Sequence, residues 1–260
     1  MAEFDTLRSG PIIATAAQID EGLRAYMNKV YGLMSVAMLI TGAAAWAISG
    51  LAVTSDAAQG AMQIGADKYL TSFGALLYTS PLKWVVMFLP LVMVFALSGM
   101  INRLSPAAAQ LGFYVYAVAM GVSISSIFIV FTGTSIATTF LVTAIAFLAL
   151  SLYGYVTKRD LSGMGTFLIM GVVGLIVAQI VNMIFDIQGL SSVIAFVGVL
   201  IFAGLTAYDT QKIKADYVMN VTAGGEAYLG RSAVMGALSL YLDFINMFMF
   251  LLQLFGSARN

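Results

Sequence analysis

The sequence predicts an all-α membrane protein with seven transmembrane helices, and three observations carry the prediction. The chain is 61% apolar and 9% charged, with a mean hydropathy of +0.96, a composition that lipid solvates and water does not. Seven stretches approach or exceed the roughly 20 apolar residues needed to cross about 30 Å of hydrocarbon at about 1.5 Å per residue. The basic residues collect on alternate connections between those stretches, as they do in membrane bundles.

Taken in order, residues 1–29 form a polar arm carrying Glu3, Asp5, Asp20 and Glu21, with no apolar core of a secretory signal and no cleavage site. The spans then run Val30–Gly50, Pro81–Asn102, Gln110–Phe131, Ser135–Tyr155, Gly163–Phe185, Leu190–Gln211 and Ser232–Gly256. Each is apolar throughout and ends at polar or turn-forming residues. Two connections are long: 51–80, rich in Gly, Ala and Thr, and 212–231, which carries Lys, Asp and Glu and the pair Gly224-Gly225. Neither is large enough for a domain of its own. The expected organisation is an arm at 1–29, one membrane domain at 30–256 and a tail at 257–260. Small residues within spans, such as Gly42-Ala43-Ala44-Ala45 and Gly165, Gly171 and Gly174, predict close helix packing.

With the N-terminus in the cytosol, the inner side collects Arg8, Arg24, Lys29, Arg103, Lys158, Arg159, Lys212, Lys214 and Arg231, and the outer side Lys68, Lys83 and Arg259. Nine against three places the N-terminus inside. Seven spans then put the C-terminus outside, unless the last segment is re-entrant.

Composition also excludes chemistry. Lys+Arg and Asp+Glu are both 12, which offers no basic field for nucleic acid. There is no cysteine and no histidine. Disulfides, thiolate nucleophiles, zinc sites of the usual ligands and Ser-His-Asp triads are therefore ruled out, and a response to pH near neutrality falls to carboxylates. The sixteen methionines are read as adaptable packing.

A charge inside a span costs about 2.5 kcal/mol or more at the bilayer centre, so each one needs a reason. Asp243 has eleven residues of its span before it and thirteen after, and marks an ion or proton site, or else a hydrogen bond between helices. Asp209, in Thr206-Ala207-Tyr208-Asp209-Thr210-Gln211-Lys212, lies near a helix end, where headgroups or Lys212 at i+3 can satisfy it. Arg103 closes the second span as an ordinary interfacial arginine, and gains a role only as the partner of a nearby carboxylate, which a guanidinium holds ionised. Asp186 reads as a helix-end residue beside the turn Gln188-Gly189. Asn246, three residues after Asp243, shares its helix face; with Gln179, Asn182, Gln253 and the tyrosines 153, 155, 208 and 241 it lines a wet path or glues helices together.

At Tyr208-Asp209-Thr210-Gln211-Lys212 and Ser239-Leu240-Tyr241-Leu242-Asp243-Phe244-Ile245-Asn246 the chain resembles the Bax inhibitor-1 family, the transmembrane Bax inhibitor motif proteins. The likeness takes in Thr157-Lys158-Arg159-Asp160-Leu161, Arg103-Leu104-Ser105-Pro106 and Leu33-Met34, and covers most of the chain apart from the arm and the first long loop. It implies a last helix enclosed by the other six, and a pH-sensitive calcium leak latched by an aspartate pair. Carried over by motif, the pair is Asp209 and Asp243, with Arg103 as latch partner. The two aspartates are then also the expected metal contacts, for calcium as permeant ion, with no tightly bound cofactor.

Depth counting opposes the pairing. Asp243 lies about 16 Å from the inner end and Asp209 about 3 Å, at about 1.5 Å per residue. The conflict is relieved if the sixth helix continues into residues 212–217 and the seventh begins nearer its aspartate. Two carboxylates that meet can share one proton, giving a chain without histidine a proton sensor. Oxygen-only ligands suit calcium.

Two adjacent membrane aspartates also describe intramembrane aspartyl proteases. That reading fails because the second aspartate of those enzymes follows Gly-x-Gly, whereas Asp243 follows Tyr241-Leu242 in unbroken apolar sequence; no enzymatic activity is expected. The alternative function is a non-conducting interaction protein that modulates a membrane protease or a cell-death or stress pathway. Expected partners are calcium ions, protons, the lipid bilayer and a membrane protein, with no nucleic acid, and the resemblance places the chain in a bacterial inner membrane.

Overall fold

The computed structural model describes residues 16–65, 68–222 and 225–258. Glu3, Asp5 and Arg8 of the arm, Gly224 and Arg259 lie outside the described residues. Nine α-helices are formed among the described residues: α1 (Ala16–Ala52), α2 (Ser72–Tyr78), α3 (Leu82–Met100), α4 (Pro106–Ile124), α5 (Ile127–Val130), α6 (Gly133–Val156), α7 (Ser162–Phe185), α8 (Leu190–Asn220) and α9 (Gly225–Phe255). Seven helical stretches among the described residues are long and apolar enough to cross a membrane, with α5 completing the third after a break at Ser125-Ser126.

Helix boundaries follow local chemistry. Ser105 caps α4 by accepting from the Ala108 amide and Pro106 occupies the first turn, where its missing N–H costs nothing. Thr132 caps α6 in the same way through the Ser135 amide. At the end of α7, Asp186 adopts the left-handed region (φ 45) and Gly189 follows at φ 80, so the chain reverses directly into α8.

Three helices outrun the apolar stretches. Helix α1 begins at Ala16 rather than near Val30, so that the second half of the expected arm is helical. Helix α8 continues to Asn220, and α9 starts at Gly225 rather than Ser232. These extensions carry Asp20, Arg24, Lys29, Lys212, Lys214, Glu226 and Arg231, side chains that hydropathy counts against a span but that a helix leaving hydrocarbon accommodates. They project from one end of the bundle, the basic end, where Arg103, Lys158 and Arg159 also lie.

At the opposite end the long connection after α1 is ordered. Strands β1 (Val53–Thr54), β2 (Met62–Gly65) and β3 (Lys68–Leu70) form an antiparallel sheet in the order β1-β3-β2, with Val53 and Met62 both in register with Leu70. Helix α2 is capped by the Thr71 hydroxyl and lies so close to α1 that a Cβ at Gly74 would strike the Ala52 carbonyl. The C-terminal tail is also at this end: Ser257 accepts from the Thr132 amide at 3.2 Å and its own amide donates to the Ser135 hydroxyl at 2.9 Å.

Helix α9 is the most buried. In its most apolar stretch 72% is buried, against 44% for α8 and 11% for α7, which puts α9 near the axis of the bundle. It packs chiefly against α8, α1, α6 and α4, while α7 rests on α8 and α3 on α4. Hydroxyls tie the helices together: Thr41 of α1 donates to the Ala117 carbonyl at 2.9 Å and meets the Tyr241 hydroxyl at 2.7 Å, and Ser151 links Tyr31 (2.6 Å) to Thr210 (2.9 Å). In hydrocarbon such bonds between helices contribute about 0.6–2 kcal/mol each.

Of the small residues expected to bring helices close, Gly165 faces the Tyr208 ring and Gly171 the Ile201 side chain, whereas Gly42 and Gly174 have open space beside them. Between spans, backbone approaches this close occur instead at Gly121, against the Thr41 carbonyl of α1, and Gly154, against the Ala207 carbonyl of α8.

Candidate functional site: a polar pocket at the basic end

A cavity of about 640 Å³ lies between α8, α9 and the α6–α7 turn. Helix α8 supplies Asp209 and Asp216, seven residues apart and hence on one face, and α9 supplies Ser232 and Ser239 with the same spacing. Lys158, Arg159 and Asp160 of the turn stand at its rim. The Gln211 side chain fastens this turn to α8, accepting from the Leu161 amide at 2.8 Å and donating to the Arg159 carbonyl at 2.8 Å. Lys214 donates to the Tyr155 carbonyl at 2.9 Å, neutralising the C-terminal end of α6. Hydrogen bonding from the Ser162 hydroxyl and, at 2.9 Å, from its amide holds the Asp160 carboxyl below the ordinary carboxylate range.

The α8–α9 register is set by Ile213 against Gly236 and by Phe250 against Gly198. Both pairings place Ser239 level with Asp209. Asp243, four residues further along α9, is therefore one turn deeper, about 6 Å at about 1.5 Å per residue. Helix α8 extends past residue 217 as the pairing required, but α9 begins earlier than expected, not nearer its aspartate. The depth conflict is thus reduced to a one-turn stagger.

Asp209 is half-buried and borders the pocket; the charge of Lys212, which also stands 6.0 Å above the Tyr208 ring, acts on it. Asp243 is 3% exposed, within the field of Asp209, and its Oδ2 has no hydrogen-bond partner. Nearby hydroxyls on α8 are committed elsewhere, Thr206 to the Phe202 carbonyl and Thr210 to the Thr206 carbonyl. A buried carboxyl oxygen without a donor is completed by a proton or a cation. Among the described residues no group of three or more acidic side chains is gathered for a metal. A calcium ion at the aspartates would fill its shell of about six to eight oxygens with hydroxyl, carbonyl and water ligands.

The other expected participants lie apart. Arg103 is exposed on the 3-10 turn Ile101–Arg103 and does not line the pocket. Asp186 is exposed at the opposite end. Asn246 donates to the Leu242 carbonyl of its own helix at 2.8 Å. Sequence reasoning passed over Asp216, which accepts from Tyr228 (2.9 Å), Asn220 (3.0 Å) and Ser232. Its i+4 spacing to Asn220 was a usable signal; of its α9 partners, Tyr228 lay in a stretch read as loop and Ser232 at the first residue of the last span. Arg231, whose Nε is buried without a partner, was counted only for its charge.

Residues 23–260 match the family described as Inhibitor of apoptosis-promoting Bax1. The Inner membrane protein YbhL of Escherichia coli K12 is 40% identical over 239 residues, 92% of this chain and 94% of that protein. A Rickettsia prowazekii protein, RP147, is 39% identical over 241 residues, 93% of each chain, and a Caulobacter vibrioides protein is 39% identical over 253 residues, 97% and 96% of the two chains. With near-complete coverage of relatives at this identity, and seven apolar helices, the chain is a multi-pass membrane protein and belongs to the Bax inhibitor family.

Proposed function

We propose that the protein is a pH-sensitive calcium leak in which the proton occupancy of Asp209 and Asp243 governs passage along the α8–α9 interface. The observation that carries this reading is Asp243 Oδ2, buried on the bundle axis without a donor and one turn beyond the polar pocket that reaches Asp209. A proton or a cation supplies the missing partner, and exchanging one for the other changes the charge between α8 and α9, the most extensively packed helix pair. Arg103 serves in this reading as a latch in a second arrangement of the bundle. The reading assigns no catalytic step. A bacterial inner membrane with the N-terminus in the cytosol suits it, by the nine-to-three distribution of basic residues and by the printed name of YbhL.

The test is calcium flux into proteoliposomes between about pH 5 and 8, for the native chain, Asp209→Asn and Asp243→Asn. The expected result is a native flux whose pH dependence disappears in both variants. Absence of native flux, or an unchanged profile in the variants, overturns the reading and favours a non-conducting interaction protein acting on a membrane protease or stress pathway.

A further inference from the structure

A second cavity, of about 560 Å³, opens between α3 and α7 in the half of the bundle away from the basic end. Four helices agree on that depth. The lining residues of α3 run from before its midpoint to one turn past it, those of α4 and α7 follow theirs, and Leu242 and Asn246 lie just past the middle of α9. Helices α3 and α7 make no substantial contact with each other. Along α9, Leu242, Asn246 and Met249 are half-buried while 243–245, 247 and 248 are buried; Leu242 and Asn246 face this opening.

The walls are Met87, Leu91 and Val94 on one side and Ile176 and Ile180 on the other, with Met120 at the floor. Tyr116, Ser123 and Gln179 also line it, so the cleft is mostly rather than wholly apolar, and a void of this size is foreign to packed protein interiors. The walls run without interruption into the bundle's lipid-facing surface. Val92 is 63% exposed and Phe95 70% on α3, and Val173 57% and Met183 62% on α7. Pro90, buried in α3, lacks the N–H that would bond to Val86, and lines the same cleft. The Asn246 amide donates one hydrogen bond to the Leu242 carbonyl of its own helix.

We propose that this cleft is a lipid site, occupied by an acyl chain of a bilayer phospholipid that lies between α3 and α7 and touches α9 at Leu242 and Asn246. The volume is in the range of small-ligand sites, about 300–1,000 Å³, and the continuity with the lipid-facing surface selects hydrocarbon as the occupant. The chain completes the packing around α9 on the side that α3 and α7 leave open. It also abuts the residues one before and three after Asp243, so the most buried carboxylate of the protein has lipid as a near neighbour.

The test uses the full chain in phosphatidylcholine vesicles, with and without bromine atoms midway along the acyl chains, and reads quenching of tryptophan fluorescence. The two native tryptophans are Trp46, 71% exposed, and Trp84, 44% exposed. Trp84→Phe alone leaves Trp46 as the surface reference. In a Trp46→Phe, Trp84→Phe background, Met120→Trp reports from the cleft floor and Phe244→Trp, at a position 3% exposed, from the core. Brominated lipid is expected to quench Met120→Trp by a loss comparable with that of Trp46, and to spare Phe244→Trp. If Met120→Trp does not fold, as judged by gel filtration, Leu242→Trp replaces it with the same expectation. Quenching of the cleft reporter no greater than that of Phe244→Trp overturns the proposal, as does quenching that is lost when the protein-to-lipid ratio is raised, which would identify a second copy of the chain as the occupant.

Discussion

Ser232 of α9 donates a hydrogen bond to the carboxylate of Asp216 on α8, and its own hydroxyl oxygen accepts from Tyr26 of α1 at 3.0 Å. One serine thus joins three helices where they leave the apolar region. Tyr228 and Asn220 complete the set around Asp216. Asp216→Ala strips the acceptor from all three donors and is expected to lower stability by about 1.5–3 kcal/mol, the range for hydrogen bonds to charged groups. Asp216→Asn keeps one acceptor oxygen and is expected to lose less. Thermal unfolding of the detergent-solubilised chain checks both; equal losses would show that the hydroxyls find other acceptors.

Glycine substitutions separate close packing from mere helix composition. A Cβ at Gly154 would meet the Ala207 carbonyl, backbone that cannot rotate away, so Gly154→Ala is expected to destabilise by about 1–3 kcal/mol or more by forcing α6 from α8. Gly174 has no atom of a neighbouring element within 4 Å of where a methyl would sit. It is expected to tolerate alanine with a change within about 1 kcal/mol, in the stabilising direction of helix propensity. Unfolding temperatures of the two variants against the parent decide it.

The α2 helix gives a pH signature outside the spans. Burial raises the Tyr78 hydroxyl above the ordinary tyrosine value, with its 2.8 Å hydrogen bond to Ser125 as a smaller opposing effect. Folding therefore favours the protonated phenol. The stabilisation is complete below about pH 10, the unfolded value, and is lost as pH rises through the folded value. The unfolding temperature is expected to fall on alkaline titration more steeply in the parent than in Tyr78→Phe, which has no proton to lose. Parallel curves would remove Tyr78 from the account.

The spans were legible because hydrophobicity over about 20 residues is a strong and local signal. The limits that failed share one cause: α1, α8 and α9 continue into polar sequence, where α8 and α9 are held by Gln211, Lys214 and Asp216, none of which a hydropathy window registers. The sheet at Val53–Leu70 was hidden for a related reason, since strands of two to four residues leave no periodicity to read. Asp209 and Asp243 stood out in sequence as charges in apolar surroundings. Their stagger did not, because it depends on which α8 residue faces Gly236, and Arg103 took its expected place from the motif, which says nothing of where its side chain rests.

The burial of α9 bears on how the protein is made. A ribosome releases the chain from its N-terminus, so the most buried helix follows the other six spans into the membrane. Six spans must enter the bilayer before it, with Thr41 bonded to the Ala117 carbonyl and Tyr241 not yet present to meet it. A chain cut short before Gly225 would leave the helix faces that α9 covers, Thr41 among them, without their partner.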